Sequence, residues 1–377
     1  MLDHSITISL CMIVRNEEDT IARCLDSIKG IPDEIIIVDT GSTDRTKEIV
    51  KEFTHNIFDF IWIDDFATAR NFAFSKATKD YILWLDADDI FSDSDREQFL
   101  KLKIDLNPLV DAVNMPYLLG FDQFGEVTFS LRRNRLVKRS KNFRWIGAVH
   151  EYLEVYGSIL NSDICVTHKD MGRNDSARNL KIYEKRKAKG EQFSPRDLYY
   201  YANELLDHKL YEQAIEFYEK FLKTGQGWVE DNISTCGKLA DCYQKLNNTD
   251  KQLKYIFKSF EYANPRAEFC CRLGFYFLSV QQYEKGVFWY KLATQLEKPI
   301  DSWGPIIEAC WTWLPHLQLC VCYDRLGEHQ LAYKHNEIAR KYRPENTQVL
   351  YNKKYLEGVL KNEKVINNNL AQNIEER

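Results

Sequence analysis

Tyr81-Ile82-Leu83-Trp84-Leu85-Asp86-Ala87-Asp88-Asp89 runs from five apolar residues straight into a stretch with three carboxylates. An apolar run of that length reads as a buried strand. Acidic residues at its C-terminal end then stand at the edge of a sheet, where open α/β sheets take their ligands. Like charges this close repel, so they shift their protonation or gather around a cation. Hard oxygen ligands in an Asp-x-Asp spacing suit Mg²⁺ or Mn²⁺ carrying a diphosphate. A solvated acidic loop would be spelled the same way, so the neighbouring segments decide.

On both sides of this run, strand-like and helix-like stretches take turns. Residues 6–14 are continuously apolar, 17–28 carry apolar side chains at helical spacing, and Glu34–Asp39 holds an Ile-Ile-Ile-Val core. Ser42-Thr43-Asp44 offers caps for a helix through Val50 and Phe53. A third strand is expected over 57–63, a helix over 66–77 and a fourth strand over 81–86. A helix over 92–103 leads to strands around 112–117 and 126–138. This alternation predicts an α/β domain with a mostly parallel, Rossmann-like sheet.

The chain has 377 residues, enough for two or three domains. Its 51 basic and 56 acidic side chains give a net charge of −5, which speaks against a nucleic-acid partner. Met1-Leu2-Asp3-His4-Ser5 has neither the basic region nor the apolar core of a secretory signal. No stretch reaches the length of a transmembrane segment. The ten cysteines lack paired metal spacing and read as reduced, mostly buried thiols, which points to the cytoplasm.

Near residue 172 the strand signal stops and helices follow one another. Leu198, Tyr201-Ala202, Leu205, Ala214, Tyr218 and Phe221 fall where a tetratricopeptide repeat places large, small and aromatic residues. Leu239-Ala240 with Tyr243, Leu273-Gly274 with Phe277, and Leu319-Cys320 with Tyr323 open three further copies. The expected organisation is a catalytic α/β domain over 1–171, a helical linker over 172–195, an all-α tetratricopeptide-repeat solenoid over 196–353, and a polar, fraying tail over 354–377.

Four motifs in order carry a resemblance: Ser9-Leu10-Cys11-Met12-Ile13-Val14-Arg15-Asn16-Glu17-Glu18, Val38-Asp39-Thr40-Gly41-Ser42-Thr43-Asp44, Asp65-Phe66-Ala67-Thr68-Ala69-Arg70-Asn71, and Leu85-Asp86-Ala87-Asp88. Together they resemble a family 2 glycosyltransferase of GT-A fold over about the first 170 residues. The helical repeats resemble the branch that holds bacterial core-glycan transferases and sublancin-type peptide S-glycosyltransferases. The resemblance implies a nucleotide-diphosphate sugar donor, a divalent metal (Mn²⁺ or Mg²⁺) and inversion at the anomeric carbon.

Residue by residue, Asp39 matches the position that contacts the nucleotide base, usually uracil, so a UDP-sugar is the expected donor. Thr40 stands where many relatives have a second Asp. Arg15 and Asn16 match the nucleotide-side loop, and Arg70 a basic residue facing the donor. An ion pair of Arg70 with Asp64 or Asp65 is the plainer alternative. Asp88 matches the direct metal ligand and Asp86 a ribose or metal contact. His168 matches a late histidine that completes the metal site. Phe143-Arg144-Trp145-Ile146-Gly147-Ala148-Val149-His150-Glu151 resembles the family's Gly-x-Val-His-Glu element. It makes Glu151 the expected base, with His150 orienting the site or sharing the proton. The cluster Arg132-Arg133-Asn134-Arg135 either steers a diphosphate or charges an edge strand.

The expected activity is metal-dependent inverting glycosyl transfer to a peptide or glycan acceptor held partly by the repeats. A homodimer through the repeat domain is another use for those helices. The competing reading is a tetratricopeptide scaffold whose transferase domain is inactive.

Overall fold

In a computed structural model that describes residues 5–122, 125, 127–169, 177–299 and 306–375, nine strands form one mixed sheet. The chain divides into two compact units, Met1–Phe221 and Leu222–Arg377.

The first unit begins β1 (Ile8–Val14), α1 (Ile21–Ser27), β2 (Glu34–Asp39), α2 (Thr46–Val50), β3 (Ile57–Asp59), α3 (Phe66–Ser75) and β4 (Tyr81–Trp84). β1 lies between β2 and β4, with all pairings parallel. A parallel strand covered on both faces has no polar side, which is why Ile8–Val14 is apolar almost throughout. The third strand ends at Asp59, four residues short of expectation. Ile61 and Ile63 are exposed, and the amide of Phe60 already turns back to the carbonyl of Asp39. Apolar spelling alone did not mark burial there.

Next come β5 (Asp89–Ile90), α4 (Asp93–Asp105), β6 (Ala112–Phe121) and β7 (Val127–Lys138). β7 runs antiparallel between β4 and β6. It is therefore an interior strand, and the edge-strand reading of its arginines falls. β8 (Arg144–Ile146) and β9 (Tyr152–Glu154) form a separate pair, while β10 (Ile159–Asn161) and β11 (Val166–His168) add to β6. β11 also pairs antiparallel with β5, setting His168 opposite Asp89.

Asn71 on α3 clamps β8. Its Nδ2 donates to the carbonyl of Trp145 at 2.9 Å, and the Trp145 amide donates to its Oδ1 at 2.9 Å. Removing the amide strands two backbone groups. Asn71→Ala is expected to destabilise the protein by about 2 kcal/mol, read as an earlier urea midpoint. An unchanged midpoint would refute the clamp.

The unit closes with α5 (Ala177–Ala188), α6 (Pro195–Asp207) and most of α7 (Tyr211–Thr224). Ser194 caps α6 through a reciprocal capping box with Asp197.

The second unit is helical: α8 (Val229–Lys245), α9 (Thr249–Lys258), α10 (Ala267–Ser279), α11 (Tyr283–Gln295), α12 (Glu308–Trp311), α13 (Leu314–Arg325), α14 (His329–Tyr342) and α15 (Thr347–Glu375). α8 packs on α9, α10 on α11 and α13 on α14, so successive helices form hairpins. The small residues Ala240, Gly274 and Cys320 are buried where the repeat pattern asks for them. A Cβ on Gly274 would come within 2.7 Å of the buried Tyr290 ring. Gly274→Ala should therefore lower stability by about 1–3 kcal/mol through overpacking, visible in thermal denaturation. A wild-type transition would contradict that packing. α15 continues through the polar stretch as far as Glu375. All ten cysteines are free, and nine of them are buried.

Candidate functional site

The C-terminal ends of β1, β2 and β4 open onto a cavity of about 370 Å³, whose wall includes Arg15, Thr40, Arg70, Asp86, Asp88 and Glu151. Strand spacing of about 4.8 Å puts the tips of β2 and β4 roughly 10 Å apart across β1, so both can border one crevice.

Asp39 ends β2 and is buried. Its Oδ1 accepts from the amides of Gly41 and Ser42 at 2.8 and 2.9 Å, and Gly41 turns with φ +106°. Its Oδ2 is buried without a hydrogen bond. Its neighbour Thr40 faces the cavity. Asn16, at φ +55°, ties the loop after β1 to the loop after β2: its Oδ1 accepts from the Thr43 amide at 2.7 Å, and its own amide donates to Ser42 Oγ at 3.0 Å.

Arg70 is the hub. It projects from α3 with 8% exposure. Nη2 donates to Asp86 Oδ1 and Nε to Glu151 Oε1, each at 2.6 Å, so the alternative of an ion pair with Asp64 or Asp65 falls. The Trp84 and Trp145 rings lie 5.1 and 4.8 Å from the guanidinium. Burial works against the charge on Arg70, but Asp86 and Glu151 more than offset it. Burial likewise pushes Asp86 up, and Arg70 holds it below the usual carboxylate range.

Beyond Asp86 the chain brings Asp88, Asp89 and His168 together, with one ligand atom from each within 4.8 Å of the others. His168 Nδ1 is 3.4 Å from Asp88 Oδ1 and 3.7 Å from Asp89 Oδ1. Tyr117 Oη is 3.1 Å from the same nitrogen. The Asp88 carboxylate, followed by Asp89, pushes the His168 imidazole up to about 10. Asp89 Oδ1 is buried and takes no hydrogen bond. An orphaned carboxylate oxygen beside a second carboxylate and an imidazole fits a divalent cation. Asp86 and Asp88 border the same cavity, but Asp86 is tied to Arg70 and Asp89 stands in the acidic cluster.

The other side of Asp89 is structural. Arg135 Nη1 lies 3.0 Å from its Oδ2, and both side chains are 0% exposed. The Arg135 guanidinium is sandwiched 4.0 Å from the Trp84 ring and 4.3 Å from Tyr117. Two residues earlier on β7, Arg133 faces the cavity. Arg132 points elsewhere, donating to the carbonyl of Ser162 at 3.1 Å. The run of arginines thus holds one core cation, Arg135, at a register shift of β7 against β6, and one cavity cation, Arg133.

Residues 9–152 match the family model described as glycosyl transferase family 2. This segment is a family 2 glycosyl transferase domain. A TPR repeat-containing protein of Synechococcus elongatus is 39% identical over 150 residues, 39% of this chain and 35% of that relative. The SPbeta prophage-derived glycosyltransferase SunS of Bacillus subtilis is 30% identical over 226 residues, 57% of this chain and 53% of the relative. The chain thus spans between about a third and a half of these curated relatives. Among solved structures, YrrB, described as a TPR protein with an unusual peptide-binding site, aligns with 48% of this chain and 84% of its own at 17% identity and a TM-score of 0.37. No helix among the described residues is long and apolar enough to cross a membrane.

Within the family 2 domain, sequence reasoning gave Asp89 and Arg133 only a share in their charged runs and gave Tyr117 no role. Asp89 sits in the acidic run, and its pairing with β11 was the missing information. His150 and Glu151 follow β8 and enter the same cavity wall. What holds His150 lies past the family 2 domain, on α6.

Proposed function

We propose that this protein transfers a glycosyl group from a UDP-sugar to a peptide or glycan acceptor, with inversion at the anomeric carbon. The observation that carries this reading is one cavity bordered by the acidic Asp88–Asp89–His168 group, the Arg70 hub and the His150–Glu151 corner. Asp88, Asp89 and His168 would hold Mn²⁺ or Mg²⁺, which when bound offsets the charge that develops on the leaving diphosphate. Asp39 would offer its free Oδ2 to the nucleotide base, and Arg15 its charge to the phosphates. Asp86 would face the ribose, held in place by Arg70. The His150–Glu151 corner would take the proton that the acceptor loses as it attacks. Ten unpaired cysteines suit a reducing compartment, and we place the activity in the cytoplasm.

The helical hairpins of the second unit would present a surface for an extended acceptor. A fragment of residues 1–221 should keep donor hydrolysis and lose efficiency only toward the native acceptor. Equal transfer by fragment and full chain would remove the acceptor role from that unit. The test of the whole reading is a panel of UDP-sugars with Mn²⁺, scored for release of UDP. If no donor is hydrolysed and calorimetry finds no Mn²⁺-dependent UDP binding, a helical-repeat scaffold with an inactive domain becomes the better account.

A further inference from the structure

His150 adopts a left-handed backbone at φ +50°. For a residue with a Cβ this costs about 1–2 kcal/mol, so something must hold it. Three residues of α6 do so, at positions 196, 200 and 204. A spacing of four puts them on one helix face. Arg196 donates from Nε and Nη2 to the His150 carbonyl at 3.2 and 3.0 Å. Tyr200 stacks on the imidazole, with centroids 4.5 Å apart and planes at 16°. Glu204 places Oε1 2.6 Å from His150 Nε2. Glu204 is itself only 6% exposed, and the same oxygen accepts from Asn179 Nδ2 at 3.1 Å. Arg196 is in turn packed over the Tyr152 and Tyr200 rings.

An ionised carboxylate can only accept hydrogen bonds, so the imidazole must present Nε2–H to it. That fixes the tautomer and leaves the Nδ1 lone pair available, with no hydrogen bond from any described residue. Glu151 is in the opposite situation. Its Oε1 is bound by the buried Arg70 guanidinium, which ties up the carboxylate as a counter-ion.

We propose that His150 is the base for glycosyl transfer and that Glu204 is the positioning residue that fixes its tautomer. This division of labour rests on the transferase reading above. Nδ1 takes the proton of the acceptor X–H. The freed electron pair on X forms the bond to the anomeric carbon. The bond from that carbon to the diphosphate oxygen breaks, and UDP leaves with its electron pair. The imidazolium faces the Glu204 carboxylate until the proton passes to water. Glu151 holds Arg70, which in turn holds Asp86.

The test uses the full chain with Mn²⁺ and the best hydrolysed member of a set of UDP-glucose, UDP-galactose and UDP-N-acetylglucosamine, water serving as acceptor. Glu204→Gln is expected to lower kcat about 100-fold, with KM for the donor and UDP affinity within about twofold. His150→Ala is expected to lose a similar factor and to regain part of it with added imidazole. In the double variant, Glu204→Gln adds nothing, because it acts through His150. A Glu204→Gln enzyme within threefold of the parent overturns the proposal. So does a Glu204→Gln loss that recurs in full on the His150→Ala background. A second measurement needs no turnover: ¹⁵N NMR of the histidine rings, with His150→Ala supplying the assignment. The parent should show His150 as the Nε2–H tautomer, and Glu204→Gln should disturb it. An Nδ1–H tautomer in the parent overturns the proposal. If no donor is hydrolysed by the parent, the transferase reading fails, and the tautomer alone decides whether the His150–Glu204 pair is built as described.

Discussion

Asp88→Ala will abolish Mn²⁺-dependent turnover of UDP-sugars, by about a thousandfold or more, while leaving the fold intact. Asp88 borders the cavity, and among the described residues its ion-pair partner is the half-buried His168 at 3.4 Å. Its removal therefore takes a carboxylate from the acidic cluster without unpairing a core charge. Calorimetry should find Mn²⁺-dependent UDP binding gone, and the thermal midpoint should stay within about 2 °C of the parent. Turnover that survives at saturating Mn²⁺ would remove Asp88 from the metal-holding group. The adjacent Asp89 is not an equivalent test, because a loss of activity there would mix ligation with stability.

Arg135→Met carries the largest expected effect on stability. It leaves Asp89 as a fully buried carboxylate without its cation, and breaking a buried pair in this way costs about 3–5 kcal/mol. The cation also loses its place between the Trp84 and Tyr117 rings, so packing is lost with the charge. Arg45, paired with Glu18 at 3.3 Å on the surface, supplies the control. Arg45→Met should change stability by less than about 1 kcal/mol. Urea denaturation of the two variants side by side checks the contrast. Equal midpoints would mean that Arg135 is solvated or that another group balances Asp89.

Most of the first unit was legible because its strands are covered on both faces and so are spelled almost wholly with apolar residues. β2 and the parallel neighbours of β1 follow from that alone. The overrun past Asp59 shows the limit of this signal, since Ile61 and Ile63 are apolar yet face solvent. Candidate site residues were legible too: Asp86, Asp88, Arg70, His150, Glu151 and His168 all border one cavity. Their partners were not. Arg70 reaches Asp86 and Glu151, 16 and 81 residues away, and no local pattern encodes such a choice. The double duty of Asp89 depends on β5 meeting β11 and on β7 running between β4 and β6. The arginine run on β7 could be spelled out but not oriented until the strand was known to be internal. Glu204 lay in what reads as repeat sequence, where a buried acid at helical spacing gives no hint that it faces an imidazole 54 residues earlier.

The sealed thiols have a practical consequence for finding the acceptor. Burial pushes Cys236, Cys242, Cys270, Cys320 and Cys322 up to about 12. Sulfur reacts as the thiolate, so at neutral pH these side chains are nearly silent toward alkylating or chromogenic reagents. Cys165 is the one cysteine that is not buried, and partial burial raises it as well. A mercaptan substrate could therefore be followed continuously by its own colour reaction in the presence of the folded catalyst. Sulfur and hydroxyl acceptors would then separate in a single cuvette, without quenching or chromatography.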